Sequence, residues 1–130
     1  MSLGPQAAAR IYREHAVDGA SPARLVRLLL ERALRGLDRA AASDPRDPRS
    51  VFVSELQRAV DIVTELRLSI VPTGDGAADA AAAATDALYD FVGVQIHTAL
   101  AQRTAEPARL ARPVLESLHE AWSKIEEGAA

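Results

Sequence analysis

The sequence predicts an all-α protein, an antiparallel up-down four-helix bundle with a short additional helix at the N-terminus. Three observations predict it. Proline and glycine divide the 130 residues into long blocks. Within the blocks, apolar residues recur at steps of three and four, the period of a helix, and no alternating β-branched run suggests a strand. The connections are short, which makes consecutive helices antiparallel neighbours.

The elements follow in order. A short helix is expected over 5–16, joined by Val17-Asp18-Gly19-Ala20 to Ser21-Pro22. Ser21 can accept from the free amides of the next turn, and Pro22 fits the first helical position because its missing N–H would be unpaired there. The helix it opens runs to about Ala42. Ser43-Asp44-Pro45-Arg46-Asp47-Pro48 is rich in turn residues, and Asp47-Pro48 repeats the cap-then-proline pattern ahead of a helix ending near Val71. Its core stripe is Phe52, Leu56, Ala59, Val63, Leu66 and Ile70. Pro72-Thr73-Gly74-Asp75-Gly76 stops it. Alanine, the best helix former, fills 77–84 and leads into a stripe of Leu88, Phe91, Val92, Ile96 and Ala99. Thr104 to Pro107 makes the last turn, before a helix patterned by Leu110, Val114, Leu118, Ala121 and Ile125. Pro113 lies inside that pattern, where it cannot bond the carbonyl of Arg109, so a kink or a late helix start is expected.

The length fits one domain over 1–130, with 1–20 as an N-terminal segment and 21–127 as the bundle. Hydrophobic residues make up 48% and charged residues 25%, an ordinary globular balance. A net charge of -3 and a pI near 5.6 provide no basic footprint for nucleic acid. The absence of cysteine excludes disulfides, thiolate nucleophiles and thiolate metal sites. No apolar run reaches the roughly 18 to 20 residues of a membrane span, and the start lacks a signal-peptide pattern, so a cytoplasmic location is expected.

Positive evidence for catalysis or a cofactor is missing. None of His15, His97 and His119 has an acidic or histidine partner at ligand spacing on the same helix turn in an otherwise polar cluster. His97 is followed by Thr98-Ala99-Leu100-Ala101, without the lysine and glycine that usually flank a phosphotransfer histidine. Glu126-Glu127 and Asp44 with Asp47 sit in a tail and a loop, where carboxylates are solvated rather than split in pKa. Gly74-Asp75-Gly76 is too short for a phosphate cradle.

One helix has more apolar surface than a core requires. At a step of about 100° per residue, Leu25, Val26, Leu28, Leu29, Leu30, Ala33, Leu34, Leu37, Ala40 and Ala41 sweep most of its circumference. A bundle helix needs an apolar stripe of about 100° or slightly more. The surplus points to a partner chain.

Four stretches resemble, in order, the FliS family of flagellar-secretion chaperones. These are Tyr12 through Val17 to Ala20-Ser21-Pro22 with Leu25, Leu29, Ala33, Leu34 and Leu37; Ala59-Val60-Asp61-Ile62-Val63-Thr64-Glu65-Leu66-Arg67; Ala87-Leu88-Tyr89-Asp90-Phe91-Val92; and Leu115-Glu116-Ser117-Leu118-His119-Glu120-Ala121-Trp122. The sequence departs from the family at Leu30, commonly aromatic, at Arg32, commonly glycine, at Ala84-Thr85, usually Asn-Leu, at Leu100, frequently asparagine, and at Pro113.

The resemblance implies a non-enzymatic chaperone, without cofactor, that wraps the disordered C-terminal segment of flagellin around a helical bundle. In some relatives the export gate or an anti-sigma factor is a further partner. Groove candidates are apolar residues displaced from the core stripes: Leu30, Leu34 and Leu37, then Ile62 and Leu68, then Tyr89, Leu115 and Trp122. The resemblance adds Tyr12, on an N-terminal segment that in relatives occupies part of the client site. Two other readings stay open: a helical homodimerisation module paired through Leu30, Leu34 and Leu37, and a phosphotransfer bundle using His97 or His119.

Overall fold

The structure is a computed structural model that describes residues 22–71 and 73–129. Four helices follow one another, α1 (Pro22–Ala41), α2 (Phe52–Leu68), α3 (Gly76–Gln102) and α4 (Glu106–Ala129). They form a ring in which each helix packs on two neighbours: α1 on α2 and α4, and α3 on α2 and α4. The predicted all-α bundle is therefore observed. The expected helix over 5–16 and the Ser21 cap lie outside the described residues.

Ion pairs between helices fix the directions. Early Arg27 of α1 binds late Glu126 of α4, while late Asp38 of α1 accepts two bonds from early Arg112 at 2.7 and 3.1 Å. At the end of α2, Arg67 donates to Asp86 and Asp90 near the middle of α3. The bridges at both ends of the α1–α4 pair make it antiparallel.

Local chemistry sets most boundaries. Pro22 is the first residue of α1, as its missing N–H requires. Asp75 caps α3 by accepting from the amides of Ala77 and Ala78, and Asp79 reaches back to accept from Thr73 and Gly74. Gly74, at φ 86°, supplies the left-handed turn between α2 and α3. At the other end of α3, Arg103 takes the left-handed conformation at φ 53° and returns its N–H to Ala99.

Two boundary expectations are corrected. Asp47 does not cap α2, because its carboxylate closes a local turn on the Arg49 amide instead. The helix starts at Phe52, whose amide donates to Ser50 Oγ at 3.3 Å. Nor does Pro113 delay α4, which begins at Glu106 and continues through the proline. Pro113 is exposed, on the wet side of its helix.

The core also departs from simple periodicity in α3 and α4. Leu88 and Phe91, expected inside, are exposed, and Tyr89 takes the inward position with Val92, Ile96 and Ala99. In α4 the buried stripe is Ala108, Ala111, Leu115 and Leu118, one step round from the Leu110, Ala121 and Ile125 that the spacing selects. Both shifts have one cause. Apolar residues on these helices cover more than one face, so spacing alone does not say which face points inward.

The breadth of α1 is resolved differently. Val26, Leu30, Ala33, Leu37 and Ala40 all join the core because α1 buries two flanks, one on α2 and one on α4. Its apolar surplus is consumed within the bundle, with Leu28 the large exception at its surface.

Candidate functional site

Three of the four seams between neighbouring helices are closed by arginine–carboxylate bridges. Glu55 of α2 accepts from Arg32 at 2.9 and 3.0 Å and from Arg39 at 3.0 Å. Hydrogen-bonded Arg32 holds the Glu55 carboxyl below the usual carboxylate range, and Arg112 does the same for Asp38. Arg27 and Arg112 tie α1 to α4, and Arg67 ties α2 to α3. Among the described residues, no ion pair spans the seam between α3 and α4.

That seam is rimmed with apolar side chains. On α3, Asp86 and Asp90 mark the flank facing α2, and Leu88 and Phe91 lie on the opposite flank. On α4, Arg112, His119 and Glu126 mark the flank facing α1, and Leu110, Val114, Ala121 and Ile125 lie opposite. Exposed Leu88, Phe91, Leu110 and Ile125 therefore converge on one line, each at least 41% exposed. A row of large apolar groups in water without charged cover is the surface signature of a binding groove.

The same region holds an end cavity of about 300 Å³, where α1 and α3 begin and α2 and α4 end. Val26, Leu66, Ile70, Tyr89 and Trp122 line it, with Ser69 and Thr85 as the polar exceptions. Its walls suit the end of an apolar side chain or a helix turn.

The predicted site residues fall into distinct positions. Leu30, Leu37, Ile62, Tyr89 and Leu115 are buried core, not surface residues displaced from it; Leu30 and Leu115 are wholly inaccessible. Leu34 is half-buried against that core. Leu68 is exposed on α2, away from the α3–α4 seam. Trp122 and Tyr89 both line the end cavity. Tyr12 lies outside the described residues. The groove-rimming Leu88, Phe91, Leu110 and Ile125 were assigned to core stripes by spacing. The signal that marks them is the composition of α3, whose circumference holds charge only near Asp79, Asp86, Asp90 and His97.

Among the described residues no cluster of His, Asp and Glu could hold a metal. His97 is exposed, and His119 Nε2 lies 3.3 Å from Glu31 between α4 and α1. No described helix is long and apolar enough to cross a membrane.

A family model described as flagellar protein FliS matches residues 4–129, nearly the whole chain. The chain belongs to the FliS family. Members of this family act as chaperones in flagellar export. No curated protein sequence matches the chain. The expected family is thus shown over the full bundle, including the stretches at Leu30, Arg32, Ala84-Thr85 and Leu100 where the sequence departs from the family pattern.

Proposed function

We propose that this FliS-family chain is a non-enzymatic cytoplasmic chaperone for the disordered C-terminal segment of flagellin, and that the segment's amphipathic turns lie along the α3–α4 seam. The observation that carries this reading is the line of Leu88, Phe91, Leu110 and Ile125 over a seam that no ion pair spans among the described residues. An apolar helix face laid there removes these groups from water at roughly 25 cal/mol per Å², against the ordering entropy of the client. The end cavity beside Trp122 takes an apolar anchor at the end of the line. Covering the client's assembly-prone face prevents premature polymerisation while leaving it unfolded for export. The core positions Leu30, Leu37, Ile62 and Leu115 support the groove through packing, without touching the client. Neither turnover nor a cofactor is required.

Calorimetric titration of the chain with the flagellin C-terminal segment tests this. Saturable one-to-one binding with a negative heat-capacity change is expected, weakened at least tenfold by Phe91→Asp. Absence of binding by the folded wild-type chain overturns the flagellin assignment.

A further inference from the structure

The outer side of the α1–α2 seam, across the ring from the α3–α4 seam, carries more positive charge than its ion pairs use. Arg32, Arg35 and Arg39 stand at steps of three and four along one face of α1, and Arg58 stands three residues after Glu55 on α2. Glu55 is the carboxylate set among them. It bonds Arg32 and Arg39, and Arg58 adds to the positive field around it. Glu55 is buried, whereas Arg35, Arg39 and Arg58 are exposed. Among the described residues, Arg35 and Arg58 have no ion pair.

Neighbouring carboxylates are engaged elsewhere. Glu31, one turn before Arg35, bridges Arg27 and His119 on the α4 flank, and Asp38 is held there by Arg112. In the loop from α1 to α2, Asp44 and Asp47 accept from the backbone amides of Arg46 and Arg49, whose side chains add two more exposed guanidiniums.

We infer that this side of the bundle binds a short acidic segment of a partner protein, whose carboxylates take the guanidiniums of Arg35, Arg39 and Arg58. The bond geometry is already present once, in the two parallel contacts of 2.9 and 3.0 Å between Arg32 and Glu55. Arg35 and Arg58 hold the same fork open to a carboxylate from outside. From Arg32 to Arg39 is about 10 Å of helix, a length that about three residues of extended peptide span. Exposed Leu28 stands one turn before Arg32 and offers an apolar contact at the end of the row.

The shortness of the patch selects a peptide over a nucleic acid. Beyond Arg58, α2 carries Asp61 and Glu65 one turn apart, and the chain as a whole has a net charge of -3. A strand charged at every nucleotide would run from the arginines onto those carboxylates, whereas a short acidic segment ends before them. Because the α1–α2 and α3–α4 seams lie on opposite sides of the ring, the acidic segment and the flagellin segment bind together. That last statement rests on the proposed function; the acidic-peptide site does not.

Titration of the full chain with tetraglutamate, read by NMR of backbone amides and arginine Nε–H groups, tests the site. Saturable shifts at Arg32, Arg35, Arg39 and Arg58 are expected, with affinity falling as salt is added. Arg35→Gln combined with Arg58→Gln is expected to weaken binding at least tenfold. Arg103→Gln combined with Lys124→Gln makes the same change in net charge away from the patch and is expected to leave affinity within twofold. None of these four side chains holds an ion pair among the described residues, so both double variants should keep the wild-type thermal unfolding. No saturable shift, equal losses in the two double variants, or tighter binding of a single-stranded tetranucleotide than of tetraglutamate overturns the inference. Displacement of tetraglutamate by the flagellin segment overturns simultaneous binding. A chain that binds tetraglutamate but ignores the flagellin segment refutes the proposed function alone; one that binds the flagellin segment but not tetraglutamate refutes this inference alone.

Discussion

Gly36 of α1 packs directly against Glu55 of α2. A Cβ placed at position 36 would lie 3.1 Å from Glu55 Oε2 and 3.2 Å from the Glu55 carbonyl oxygen. The missing side chain is what lets the two helices approach closely enough for Arg32 and Arg39, one turn either side, to share that carboxylate. Gly36→Ala gains about 1 kcal/mol of helix propensity but presses on a bound carboxylate and on backbone that cannot yield. A net loss of about 1 kcal/mol or more is expected in denaturant unfolding. Gly93 provides the control. Nothing lies within 4 Å of its added Cβ, so Gly93→Ala is expected to stabilise by about 0.5–1 kcal/mol.

Core and groove separate by their response to truncation. Leu30→Ala or Leu115→Ala opens a cavity at a fully buried site and should cost about 2–5 kcal/mol in urea unfolding. Leu88→Ala and Leu110→Ala remove exposed groups and should change stability by no more than about 0.5 kcal/mol. Their effect should appear in client affinity instead.

Two glutamates on α2 respond to pH with opposite sign. Glu65 is 5% exposed, and neither of its carboxylate oxygens has a hydrogen-bond partner. Burial, with Asp61 adding repulsion, pushes its pKa up. The folded chain holds that proton more tightly than the unfolded chain, so this position lowers stability as pH rises from the unfolded value of about 4.3 through the raised folded one. Glu65→Gln should therefore stabilise the protein by about 1 kcal/mol at neutral pH and make no difference below the unfolded pKa. Glu55 is depressed by Arg32, so its contribution is present above the unfolded pKa and disappears as pH falls through the folded one. Glu55→Gln should cost about 2 kcal/mol at neutral pH, with the loss vanishing in acid. Thermal unfolding of both variants across pH checks the two signs.

The first turns of α3 depend on one side chain. Ala77, Ala78 and Ala80 to Ala84 are mostly exposed and contribute little packing, while Asp75 caps two of their amides. Asp75→Ala should cost about 1 kcal/mol and raise hydrogen exchange over 76–84 while leaving 92–99 protected.

Much of the bundle was legible in the sequence, and the reasons are local. Pro22 and Asp75-Gly76 start helices by chemistry that does not depend on packing, and the Phe52–Leu66 stripe reads correctly because the opposite face of α2 carries Gln57, Arg58 and Asp61. The orientation of α3 was not legible. With Leu88, Phe91 and Val94 on one side and Tyr89, Val92 and Ile96 on the other, periodicity supports either face, and only contact with α2 and α4 decides. The burial of α1 was not legible for the same reason. Leu30 and Leu37 look surplus until two neighbours, not one, are packed against their helix. Glu65 gave no signal either, since a buried carboxylate reads as a solvated one in sequence.

Methyl and amide NMR, titrating in the flagellin C-terminal segment, maps the client on the chain. The largest shifts and lost solvent contact are expected at Leu88, Phe91, Leu110 and Ile125, with Trp122 at the end cavity following. Shifts confined to the α1–α2 surface around Leu28 and Leu68, with the α3–α4 seam unchanged, would contradict the proposed function.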